Sequence, residues 1–151
     1  MREENRKNLK VLVNEIKEKS AEGAFVCDYS VFRQIYQLEA RRILRLGIEE
    51  YILLFTVQEE THQKADTSDT LSIEKEADRL GEILRKYLRI GDVVTRCNPT
   101  QFLVMLPICR HESVKVVAQR IINMFHRIVN TKKISVSYEL VELISVNLEK
   151  I

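Results

Sequence analysis

Tryptophan is absent from this chain, and its 151 residues include only 4 glycines and 2 prolines. So few turn formers exclude a flexible linker of any length and point to regular elements joined by short connections. Three cysteines (Cys27, Cys97, Cys109) are an odd number, widely spaced and without a Cys-x-x-Cys pair. That argues against a disulfide framework and a zinc site, and fits a reducing cytoplasm. No apolar run approaches the ~20 residues of a membrane-spanning helix, and the opening Met-Arg-Glu-Glu-Asn-Arg-Lys is too polar for a secretory leader. A charge excess is missing too. Lys and Arg number 24 against 22 Asp and Glu, so bulk charge implies neither nucleic acid nor an acidic membrane as partner. There is no internal repeat and no low-complexity segment.

What is present is an ordinary globular balance, 45% hydrophobic and 30% charged, in a length sufficient for one domain with a core. Residues 3–19 place Leu9, Leu12, Val13 and Ile16 at helical spacing on an otherwise charged helix. That stripe either packs on the domain or serves as a connector or dimerising helix, with Gly23 ending it. Residues 1–20 are read as this N-terminal element and 21–151 as the domain. Ala24–Cys27 is a short extended piece. Asp28 or Ser30 caps a second helix carrying Val31, Phe32, Ile35, Tyr36, Ile43 and Leu44, which Gly47 closes.

Tyr51–Val57 is apolar nearly throughout, as expected of a central strand covered on both faces. A polar stretch to about Thr70 reads as a loop. A helix follows, capped near Thr70 or Ser72, with Ala77, Leu80, Leu84, Tyr87 and Leu88 inward and Glu74 and Glu76 early. Two β-rich runs flank Cys97-Asn98-Pro99-Thr100, where Asn-Pro suits the start of a tight turn, giving a β-hairpin. Val114, Val117, Ala118, Ile121, Phe125 and Ile128 mark another helix. Ile134–Val141 reads as a last long strand, and the tail to Ile151 as a further edge strand. The order predicts an α+β sandwich of the ferredoxin-like kind, a mainly antiparallel sheet with helices packed on it.

The stretch Arg89–Pro107, R-I-G-D-V-V-T-R-C-N-P-T-Q-F-L-V-M-L-P, carries Asp-x-x-x-Arg, a turn, Phe and an apolar strand ending in Leu-Pro. It resembles the signature hairpin of the diguanylate cyclase (GGDEF) family, and the likeness extends over roughly residues 24–142. It implies a nucleotidyl-cyclase-like sandwich. The family's Gly-Gly-Asp/Glu-Glu-Phe turn aligns with Asn98, Pro99, Thr100, Gln101 and Phe102, of which only Phe102 matches. The family also places an acid at the end of its first strand, where this chain has Thr56-Val57-Gln58. A hydroxyl and an amide cannot replace the charge with which carboxylates hold the metals of nucleotidyl transfer. Pro99 has no N–H, and Asn98 adds a side chain where a glycine would admit phosphate. Residues 61–71 hold no counterpart of the family's guanine-reading Asn-Asp pair. The expectation is therefore no catalytic residue, no metal and no cofactor.

Arg89-Ile90-Gly91-Asp92 matches the Arg-x-x-Asp of the family's inhibitory site, which implies a cyclic di-GMP-binding pair, Arg89 and Asp92. A surface Arg–Asp pair or a strand-end cap has the same signature. Glu59 and Glu60 lie just past the first strand and offer displaced carboxylates for an active cyclase. His62, His111 and His126 are too far apart to read as ligands, and Arg41, Arg42, Arg45, Lys132 and Lys133 read as solvated surface, with no direct nucleic-acid binding. A second resemblance covers residues 23–46, similar to the segment after the tetratricopeptide-like region of some bacterial transcription regulators. It implies the C-terminal part of a longer regulator. The leading expectation is a catalytically inactive GGDEF-like signalling domain acting through a protein partner or homodimer. The alternatives are a cyclic di-GMP or other nucleotide receptor, and an active cyclase.

Overall fold

The computed structural model describes residues 6–60, 67–129 and 132–143. Helix α1 (Leu9–Ile16) starts at Asn8, whose Oδ1 accepts from the Val11 N–H at 2.9 Å, a side-chain N-cap. It is shorter than the 3–19 pattern. None of its residues is buried, so the apolar stripe does not pack on the domain. Gly23 does not end this helix, which stops at Lys17. Gly23 instead allows a close approach: at φ +65°, a Cβ there would lie 2.0 Å from the carbonyl oxygen of Arg85. That oxygen accepts from the Ala24 N–H at 2.9 Å.

Strand β1 (Phe25–Val26) lies parallel to β3 (Val93–Asn98). Between them in sequence, α2 (Tyr29–Leu46) has Asp28 at its N-cap, without a side-chain cap bond, and ends at left-handed Gly47. Phe32, Ala40 and Ile43 are buried, whereas Val31 and Leu44 are exposed. The packed stripe is therefore narrower than the sequence reading. It is centred on a phase that includes Glu39.

Strand β2 (Tyr51–Glu59) is the axis of the sheet. It pairs antiparallel with β4 (Gln101–Leu106) on one edge and β5 (Ile134–Glu142) on the other. Both edges bonded and both faces covered explain its almost unbroken apolarity. It continues to Glu59, past the expected end, and α3 (Thr67–Tyr87) begins at Thr67, ahead of Thr70 and Ser72. Glu74 and Glu76 consequently lie beyond the first turn. The β3–β4 hairpin turns through Pro99 and Thr100. Helix α4 (His111–Ile128) buries Val114, Ala118, Ile121, Ile122 and Phe125 and leaves Ile128 exposed.

The strand order is β1-β3-β4-β2-β5. The unit β2-α3-β3-β4-α4-β5, with β4 inserted between β2 and β3, is the split βαβ arrangement of the ferredoxin-like fold. β1 adds a parallel edge strand, and α2 adds a helix on the face opposite α3 and α4. On one face α3 and α4 bury Leu53, Phe55, Val57, Val104 and Phe102. On the other, α2 packs a smaller cluster of Phe32, Ile43, Ile52, Val93, Met105 and Leu143. Among the described residues no helix is long and apolar enough to cross a membrane. The strand expected beyond Leu143 falls outside the described residues.

The two left-handed glycines differ in surroundings. Gly47 at φ +66° has open space where a Cβ would go. Gly47→Ala is therefore expected to lose about 1 kcal/mol from backbone conformation alone. Gly23→Ala is expected to lose more, because the collision with Arg85 adds to that strain. Urea unfolding of both variants checks the order, and equal losses would contradict the close approach.

Candidate functional site

The hairpin turn and the strand beside it occupy the position of interest. Asn98 opens the turn and closes it on itself. Its Oδ1 accepts from the Thr100 N–H at 3.1 Å and from the Thr100 hydroxyl at 3.3 Å, an Asx-type turn that suits Asn before Pro. Its Nδ2 donates to Gln101 Oε1. The β2–β4 register sets Thr56 opposite Gln101, and Gln101 Nε2 donates to Thr56 Oγ1 at 3.0 Å. One residue of the strand end and one of the two turn positions at which the resemblance expects acids therefore face each other, and here they form a neutral amide–hydroxyl contact. The Val57 N–H donates to the Thr100 carbonyl at 2.9 Å, tying the turn to the strand end. Phe102 is buried beneath it in the α3–α4 core.

Arg96, the Arg of Asp-x-x-x-Arg, clamps this turn. Its Nη1 donates to Asp78 Oδ1 of α3 and its Nη2 to the Pro99 carbonyl, each at 2.6 Å. The guanidinium carbon lies 5.2 Å from the Phe102 ring centroid, within cation–π range. A planar fork reaches two partners in fixed directions while stacking, which an ammonium cannot. The sequence showed this residue only as part of a motif.

Arg89 and Asp92 come together at the bend between α3 and β3. The Arg89 N–H donates to Asp92 Oδ2 at 2.8 Å, and Nη2 sits 3.6 Å from Oδ1. Their side chains are 60% and 3% exposed. Asp92 is thus turned inward to hold the bend. Burial raises its pKa, against the opposing pull of the Arg89 N–H and guanidinium. Its main-chain carbonyl accepts from Phe25 and so anchors β1. Arg89 remains open to solvent. Glu59 and Glu60 sit against the start of β5: Glu59 pairs with Ile134, and the Glu60 N–H donates to the Lys133 carbonyl. At ~3.3 Å per residue, Glu59 is about 10 Å along β2 from Thr56. The described residues hold no group of three or more His, Cys, Asp or Glu arranged to hold a metal. His126 is exposed beside Phe125, His111 packs on Tyr51, and His62 lies outside the described residues. All three cysteines are free thiols.

One titratable pair was not foreseen. Glu39 of α2 and Glu50 at the foot of β2 are both buried. Glu50 is pushed up to about 7 from 4.5. Burial is the main cause, with the hydrogen bond and charge of Glu39 behind it, opposed by the Ile108 N–H and Arg42. Arg42 Nη1 lies 3.2 Å from Glu39 Oε1. Ile108, at φ 50°, is the non-glycine residue of positive φ among the described residues. The available signal was phase: Glu39 falls among Phe32, Tyr36, Ala40 and Ile43 on the inward side of α2.

Two expectations follow. From pH 4.5 to about 7 the folded chain keeps a proton on Glu50 that the unfolded chain has released. Stability therefore falls as pH rises through that window and levels off above it. Unfolding midpoints across the window should show this fall, and Glu50→Gln should flatten it. Arg96→Lys, which breaks the fork, should lower stability by about 1–2 kcal/mol, read by the same unfolding measurement.

No protein-family model matches the sequence, and no curated protein matches it. Solved structures do. A DGC protein from Thermotoga maritima aligns with a TM-score of 0.60 at 17% identity, over 83% of this chain and 88% of that one. The GGDEF domain of DgcB from Caulobacter crescentus, in complex with c-di-GMP, aligns with a TM-score of 0.63 at 11% identity, over 83% of this chain and 76% of that one. The diguanylate cyclase SiaD from Pseudomonas aeruginosa, in complex with its activator SiaC, aligns with a TM-score of 0.57 at 19% identity, over 94% of this chain and 57% of that one. At such identities the likeness is one of architecture: the chain has the fold of GGDEF cyclase domains.

Proposed function

We propose that this chain is a cyclic di-GMP-pathway signalling domain of GGDEF fold that has lost cyclase chemistry and acts by protein contact. The observation that carries the reading is the Gln101–Thr56 hydrogen bond at 3.0 Å. Two neutral groups satisfy each other where metal-binding carboxylates are needed. The turn above them is closed by Asn98 and led by Pro99, so it presents few free N–H groups to a triphosphate. The fold neighbours, one holding c-di-GMP and one holding an activator protein, support the pathway and the mode of action. The resemblance of residues 23–46 favours a place at the C-terminal end of a longer cytoplasmic transcription regulator, with residues 1–20 as connector.

The receptor reading has one observation in its favour, the solvent-open guanidinium of Arg89 on a rigid bend. Against it, the Asp92 carboxylate is already engaged within the fold. Incubation with GTP and magnesium is expected to yield no cyclic di-GMP; measurable turnover would overturn the inactive reading and direct attention to Glu59 and Glu60. Calorimetry with cyclic di-GMP is expected to show no heat. Heat that disappears in Arg89→Ala would establish the receptor instead.

A further inference from the structure

Strand β5 ends the sheet on one side, and its backbone carries a row of outward donors and acceptors. The Lys133 carbonyl accepts from the Glu60 N–H, and the Leu143 N–H donates to the Glu50 carbonyl. In an antiparallel pair each residue points both main-chain groups to one side, alternately toward and away from the neighbouring strand. The ladder with β2 runs from Ile134 opposite Glu59 to Glu142 opposite Tyr51 without a shift. The odd-numbered residues therefore bond to β2, and Ile134, Val136, Tyr138, Leu140 and Glu142 hold their N–H and C=O outward. Among the described residues nothing pairs with that side.

Native proteins block open edges by shortness, proline, lysine or a bulge. The opposite edge is blocked in the first way, since β1 has two residues. β5 has none of these devices: its 9 residues include no Pro or Lys, and its register is unbroken.

The strand is also complementary to itself. A two-fold axis normal to the sheet keeps the faces aligned and sets β5 antiparallel to its copy. With Ser137 on the axis, Ile134 meets Leu140 and Val136 meets Tyr138 of the second copy. All four lie on the α3–α4 face, so the apolar layer continues across the junction. Lys132 meets Glu142 at both ends. Neither makes an ion pair among the described residues, and Glu59 and Glu60 lie on the β2 side of the strand. The pairing supplies about eight main-chain hydrogen bonds, near the ~10 of an ordinary interface. Space permits it as well, because α4 packs on both β2 and β5. Centred between those strands it stands about 5 Å from the axis, so the two copies of α4 pass about 10 Å apart, the spacing of packed helices.

We propose that β5 pairs with β5 of a second copy about a two-fold axis at Ser137, joining two five-stranded sheets into one closed dimer. This supplies a surface for the protein-contact reading, and it stands on the sheet edge rather than on the hairpin. GTP turnover reports on the hairpin and self-association on the edge, so either can fail alone.

The test uses the full chain. In sedimentation the unaltered chain should dimerise. Ser137 is exposed, so charges placed there burden the dimer and not the protomer. Ser137→Lys and Ser137→Asp each set like charges against themselves across the axis, and each should raise the dimer dissociation constant roughly tenfold or more with unchanged circular dichroism. Mixing the two variants should restore a dimer. A monomer at every concentration, a dimer that both variants leave intact, or a mixture that stays monomeric would overturn the proposal. Oxidative cross-linking reads the register. Ser137 faces its copy in a non-hydrogen-bonded pair about 4.5 Å apart at Cα, within disulfide reach. Ser137→Cys should therefore give a 137–137 bridge by peptide mapping, and Glu139→Cys should give no 139–139 bridge. Absence of the first bridge, or an equal yield of the second, would refute the pairing.

Discussion

The antiparallel register of β2 against β4 is the constraint on which the remaining structure depends. Setting Tyr51 opposite Leu106 and counting in steps of one brings Thr56 opposite Gln101. Strand side chains alternate faces, so a slip of one residue would turn Leu53, Phe55 and Val57 out of the α3–α4 core. The apolar burial of those three residues and of Val104 therefore holds the polar positions where they are. The position of the turn follows from core packing rather than from any interaction at the turn itself.

The turn then adds its own order. Asn98 caps it, Pro99 restricts it, and Arg96 fastens it to Asp78 of α3 while stacking over Phe102. These contacts link an exposed loop tip to the best-packed part of the molecule. A turn that positions substrate needs free donors and carboxylates; this one uses its donors internally.

A similar economy operates at Arg89 and Asp92. A buried carboxylate needs compensation, and Asp92 finds it in the N–H of Arg89 and the neighbouring guanidinium. The same residue passes its main-chain carbonyl to β1, so the α3–β3 bend and the edge strand are held by one residue. By contrast, Glu39 and Glu50 are buried beside each other, and the Ile108 N–H and Arg42 offset only part of that cost. One of them is left protonated in the acidic range, which makes that corner of the fold sensitive to pH.

Element types and order were legible in the sequence because periodicity follows from local geometry: β2 from its unbroken apolar run, the hairpin from Asn98-Pro99, α4 from its spacing, and Gly47 as a left-handed stop. That residues 98–101 carry no carboxylate was legible as well, since residue identity needs no coordinates. What the chain alone did not determine depends on distant parts meeting. Gly23 is set by the carbonyl of Arg85, far along the sequence, and not by the helix before it. The Glu39–Glu50 pair, the Arg96 clamp and the direct contact of Gln101 with Thr56 each join residues from different elements. How far α2 covers its face depends on how many helices a five-stranded sheet receives on each side. Local patterns encode which face of an element is apolar, but only the assembled sheet decides what covers it.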